Sequence, residues 1–171
     1  MKVRIEDIVQ RMKDNAQKIA ALTRGLSEEE AGWKPDANTW SVVEVINHLY
    51  DEEKEDFRVR LKIILETPEL EWPPIDPEGW VGDHRYHARK LASSLDSFLD
   101  ERAKSLDWLA TMQTAKWDTV YQAPFGPIQA GDMLTAWITH DHHHMRQLVE
   151  LLRSISLETM QPFEGQYAGK W

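Results

Sequence analysis

The proline-rich stretch TPELEWPPIDPEGWVGD, residues 67–83, constrains the fold more than any other part of this chain. It holds four of the eight prolines and interrupts regular structure. On either side of it, apolar residues recur at helical spacing. An antiparallel helix pair needs only a short loop. These 17 residues, at about 3.3 Å each, can run back along a whole helix. The two helices flanking the stretch are therefore expected to point the same way.

Four long segments carry the helical repeat. The first covers roughly 5–24, with Ile5, Ile8, Val9, Met12, Ile19 and Leu22 on one stripe and Gly25 as its stop. The second covers roughly 39–66, with Thr39 or Ser41 near its start and Pro68 past its end. Between them, Ser27 and Glu30 suit the cap of one short turn. The third covers roughly 84–113, with Leu91, Leu95, Phe98, Leu99, Leu106 and Leu109 as its stripe. The fourth covers about 128–156, after turn residues Pro124 to Pro127. No stretch alternates convincingly as a strand. The expectation is one all-α domain over 1–171, a four-helix bundle in up-down-down-up order.

Composition narrows the function. Twenty Lys and Arg against 29 Asp and Glu give a net charge of −9, which argues against a nucleic-acid partner. No apolar run is long enough to span a membrane, and the first residues lack the apolar core of a signal peptide. A cytoplasmic protein is expected. There is no cysteine, hence no disulfide, no thiolate ligand and no cysteine nucleophile. Of the eight tryptophans, Trp33, Trp40, Trp72, Trp80, Trp117 and Trp171 lie near loops or ends and suit the closed ends of a core.

The segment THDHHHMRQL, residues 139–148, places four of the seven histidines within five positions. On a helical wheel with Trp137 at zero, Met133, Leu148, Leu151 and Ile155 all lie within about 40° of it. His144 falls inside this face and His140 at its edge. His142 falls on the far side with Arg146, Glu150 and Arg153, and His143 is lateral. The run is thus an i, i+4 pair on the buried face, and such a pair is close enough to share a metal. An inward histidine is also an ordinary hydrogen-bonded core residue, so a third ligand is needed. The second helix offers His48, beside the stripe of Val42, Val45, Ile46 and Leu49. Glu52 and Asp56 follow at i+4 and i+8, tilted inward, either as partners of an imidazole or of a basic residue on another helix.

These residues resemble the DinB/YfiT-like family of metal-dependent enzymes. The resemblance rests on Trp40-Ser41 at the start of the second helix, on His48-Leu49, and on His140, His144 and Gln147 at their spacing in the fourth. Phe125-Gly126, LSEEE and WKPDANTWS also fit, so nearly the whole chain is covered. The resemblance implies the same bundle order, a homodimer, and a divalent metal held by His48, His140 and His144.

Three histidines and an open coordination position describe a catalytic rather than a structural site. Imidazole ligands suit Zn, Ni, Co or Fe(II), with Zn or Ni favoured. Two chemistries follow: hydrolysis by activated water, or delivery of a thiol to an electrophile. Because the chain has no cysteine, that thiol is a small co-substrate. Members similar to this family include transferases of bacillithiol or mycothiol, so thiol S-transfer is the leading expectation, with hydrolysis and a non-catalytic metal-binding or sensing bundle as alternatives. Asp141 and Glu52 are the candidate carboxylates, each as base or as partner of a ligand ring. His84, Tyr86 and His87 are weaker candidates, and Trp137 either walls a pocket or fills the core.

Overall fold

A computed structural model describes residues 4–171. The first long helix, α1, spans Ile5–Thr23. It ends where Gly25 takes a φ of 100°, the left-handed conformation that suits glycine after a helix. The short α2 (Glu28–Gly32) follows, capped reciprocally by Ser27 and Glu30. The same device starts α3 (Val42–Asp51), with Ser41 and Glu44 as the capping pair. A π-helical segment (Glu52–Phe57) and α4 (Arg58–Glu66) continue α3 as one long helix over 42–66. After α5 (Gly79–Asp83) and a 3-10 turn (Tyr86–Ala88) come α6 (Leu91–Ala110) and the 30-residue α7 (Ala130–Thr159).

Two apolar clusters give the topology. One joins Ile19 and Ala20 late in α1, Val42 to Leu49 in α3, Leu91 and Leu95 early in α6, and Leu148 to Ile155 late in α7. The other joins Ile5 and Met12 early in α1, Phe57, Leu61 and Ile64 at the end of helix 42–66, Leu109 late in α6, and Met133 to Ile138 early in α7. Helices α1 and α7 therefore run one way, and helix 42–66 and α6 the other. Cross-links between the latter two rise together: Asn47 to Ser94, Arg58 to Ser105, Trp108 to Glu66. The bundle is up-down-down-up.

Between the two clusters lies a polar layer. Asn15, Glu53, Arg102 and Asp141 are buried there, one from each long helix. The Arg102 guanidinium binds both oxygens of Asp141 at 2.8 and 2.7 Å and Glu53 at 2.8 Å. Asn15 and Trp137 donate to Asp141 and Glu53 respectively. Burial opposes the charge of Arg102, but Glu53 and Asp141 outweigh it and hold the guanidinium firmly protonated.

Four features differ from the sequence reading, the first being that the 67–83 linker, expected to hold no regular element, contains the short α5. The helix α6 starts at Leu91 rather than near 84, because Arg85 adopts a φ of 51° and breaks the turn before it. The second helix contains a π turn, which periodicity over so few residues does not register. Finally, Val120–Ala123 (β1) and Gly126–Gln129 (β2) form an antiparallel hairpin, with Tyr121 opposite Ile128. Four-residue strands are too short to show alternation. The hairpin anchors the linker: Tyr121 Oη accepts from the Trp72 N–H and donates to the Leu70 carbonyl, and the two rings stack at 4.9 Å. No helix among the described residues is long and apolar enough to cross a membrane.

Candidate metal centre

Three histidines meet between α3 and α7. Residues four apart on α7 stack along one face, so His140 and His144 present their rings one above the other. His48 comes from the facing α3. His140 Nε2 lies 3.0 Å from His144 Nε2 and 3.2 Å from His48 Nε2. Nitrogens bound at about 2.0–2.1 Å to one ion lie roughly 3.0–3.4 Å apart. The donor set and its spacing thus fit a divalent cation, and the three ligand atoms all fall within 4.8 Å of one another.

The protonation states fit as well. Burial pushes His48 down to about 3, with the charges of His144 and His143 adding to the effect. Burial likewise lowers His140 far below its ordinary range, and brings His144 to about 4 against the opposing hydrogen bond to Gln147. The rings are therefore neutral at pH 7 with lone pairs available. His144 Nδ1 donates to Gln147 Oε1 at 2.8 Å, which leaves Nε2 as the free acceptor facing the other two rings.

Trp40 walls the site. Its ring lies 4.8 Å from that of His48 and stacks nearly parallel to His144 at 6.5 Å. Outside the rings opens a depression of about 640 Å³, lined also by Thr39, Glu78, His143 and Gln147. That volume suits a small molecule. Glu78 belongs to the linker, which returns from the hairpin end of the bundle to the histidine end.

Of the candidate carboxylates, Glu52 is beside the site and Asp141 is not. Glu52 Oε1 stands 4.0 Å from His48 Nδ1. Burial, then the nearby Asp56, raises the Glu52 carboxyl to about 8. Asp141 points into the polar layer, where Arg102 and Asn15 occupy its oxygens. Trp137 fills the core and donates to Glu53. His142 is exposed, and exposed His143 forms part of the rim. His84 Nδ1 and Tyr86 Oη both bond Asp51 Oδ2, one turn beyond His48, while His87 is exposed. Burial and the bond to Asp51 push the Tyr86 phenol up.

Sequence reasoning passed over Arg102, Glu53, Asp51 and Glu78. Arg102 had a signal, since it continues the stripe of Leu95, Phe98 and Leu109. A charged residue at such a position marks a buried ion pair. Glu78 had none, because a linker has no periodicity.

A sequence profile described as the DinB superfamily matches residues 11–148. Among solved structures the fold is similar to that of YfiT from Bacillus subtilis, described as a probable metal-dependent hydrolase with an unusual four-helix bundle topology. The two share 18% identity with a TM-score of 0.78, over 91% of this chain and 94% of that one. At that identity the likeness bears on the fold alone. No curated protein sequence is significantly similar.

Proposed function

This chain belongs to the DinB superfamily, and from that premise we propose that it is a metal-dependent enzyme, with His48, His140 and His144 holding one divalent ion against a small-molecule substrate. The observation that carries the reading is the convergence of three neutral imidazole nitrogens beside an open depression. A structural site would be closed by a fourth protein ligand. When bound, such an ion supplies Lewis-acid activation of an electrophile or of a nucleophile.

The chain's own residues prepare that chemistry. Burial keeps the three rings unprotonated. Gln147 fixes the tautomer of His144. The Arg102–Asp141 pair clamps α7, one residue from His140, onto the layer that also holds Glu53. Trp40 supplies an apolar wall and Glu78 with His143 a polar rim, which together orient a substrate of mixed character.

Hydrolysis is the first chemistry we propose, in agreement with the description of YfiT. Transfer of a low-molecular-weight thiol is the second. It is supported by the absence of cysteine, which leaves the nucleophile's place to a soluble co-substrate, and by a depression roomy enough to take one. The test is to load the protein with Zn(II) or Ni(II) and to present esters, amides and lactones, then small thiols with a chlorinated arene. Turnover that His144→Ala lacks is expected from one panel. No turnover above that control in either panel overturns the enzyme reading.

We extend the proposal to a homodimer. Phe163, Tyr167 and Trp171 are exposed aromatic residues, a type enriched at interfaces. Light scattering is expected to give twice the chain mass of 19.9 kDa, and a monomer at micromolar concentration counts against it.

A further inference from the structure

Buried polar atoms in folded proteins have partners almost without exception. Among the described residues six buried side-chain atoms lack one, and five of these form a single strip: His48 Nδ1, Glu52 Oε1, Asp56 Oδ1, Arg60 Nε and Trp72 Nε1. Four of the five residues recur every fourth position along helix 42–66. On an unbroken α-helix, positions four apart drift by about 40° around the axis. The wider π turn over Glu52–Phe57 turns the drift of the next step back, which returns Asp56 toward the line of His48. Asp56 lies near enough to Glu52 to raise its carboxyl. His48 Nδ1 lies 4.0 Å from Glu52 Oε1, and Asp56 Oδ1 lies 2.7 Å from Arg60 Nε, although out of line for a hydrogen bond. The Arg60 guanidinium lies 4.6 Å from the Trp72 ring centre.

A histidine that offers Nε2 to a cation carries its proton on Nδ1, and that N–H needs an acceptor. For His144 the acceptor is Gln147. For His48 the adjacent unpartnered acceptor is Glu52 Oε1, 5% exposed as a residue and about 1 Å beyond hydrogen-bond reach. We propose that Glu52 is a positioning residue of this site: it accepts the Nδ1–H of His48 when a cation sits on Nε2, and Asp56 and Arg60 hold it there. The inference rests on the metal reading of the three histidines.

Affinity of the full chain for Zn(II) and Co(II), measured by chelator competition, tests it. Glu52→Ala is expected to weaken binding by about 10–100-fold. Glu52→Gln is expected to stay within about threefold of wild type, since its amide oxygen still accepts. A merely structural role would instead weaken both variants in step with their melting temperatures. Zinc-loaded wild type supplies a readout that needs no variant to fold: a slowly exchanging His48 Nδ1–H resonance with a cross-peak to the Glu52 side chain. Absence of that cross-peak, wild-type affinity in Glu52→Ala, or equal loss in both variants overturns the proposal. If wild type binds zinc and Glu52→Ala binds it equally, the assignment of Glu52 fails alone. If wild type binds no metal, the reading of the histidines fails with it.

Discussion

Arg102 and Asp141 meet through two near-parallel hydrogen bonds of 2.8 and 2.7 Å, each side chain 1–2% exposed, one residue along α7 from His140. This pair joins α6 to α7 at the level where the bundle also holds its histidines. A charge buried so deeply is tolerable only while paired.

Arg102→Ala leaves Glu53 and Asp141 buried without a counter-charge, and is expected to cost about 3–5 kcal/mol. Arg146→Ala removes an ion pair with Glu150 whose partners are 71% and 48% exposed, and is expected to cost no more than about 0.5 kcal/mol. Urea denaturation of both variants checks the contrast. Similar midpoints would mean that the polar layer is not holding the bundle.

Metal content separates the histidines of the 140–144 run. His144→Ala is expected to lose stoichiometric metal, because its Nε2 faces the other two rings. His142→Ala, on the exposed face, is expected to retain it. Elemental analysis after dialysis decides, and equal loss in both variants would contradict the geometry.

The buried histidines are expected to cost the metal-free protein stability as pH falls below about 6.5, a loss that the raised Glu52 carboxyl opposes in part. His48 and His144 stay neutral in the fold down to about 3 and about 4, whereas an unfolded chain protonates its histidines near 6.5. Between those values the unfolded state binds more protons, so stability declines as pH drops from about 6.5, by up to about 1.4 kcal/mol per pH unit for each ring. His144→Gln should flatten that slope between about pH 4 and 6 and leave the slope above 7 unchanged. Parallel curves for the two proteins would refute the argument.

Tyr121→Phe removes the hydroxyl that bonds both Trp72 and Leu70. A loss of about 1–2 kcal/mol is expected, together with faster proteolytic cleavage in the 67–83 linker. Unchanged cleavage would show that ring stacking alone holds the linker.

The bundle and its histidines were legible for one reason: both depend on which side of a helix a residue occupies. Leu148, Leu151 and Ile155 fix the wheel of α7, and His140 and His144 then follow. Direction was legible through the length of the linker. Partnership was not. The wheel places His140 and His144 but does not say that Arg102, 39 residues away from Asp141 in sequence, takes both oxygens of that carboxylate. The π turn escaped because one widened turn changes phase less than the scatter of the apolar pattern. The hairpin escaped because β1 and β2 have four residues each. Glu78 reaches the rim through the path of a linker, and only the folded chain reveals that path.

The linker is fastened at one end by Tyr121, and the segment that follows it is tied to Asp51 by His84 and Tyr86. What lies between behaves like a strap buckled at two fixed points, with Glu78 carried on its span. Lengthening such a span costs little, since closure entropy grows only with the logarithm of length. The rim of the site can therefore be re-tailored by insertion or deletion between the buckles while His48, His140 and His144 keep their places. Two chains with the same histidines can in this way face different molecules.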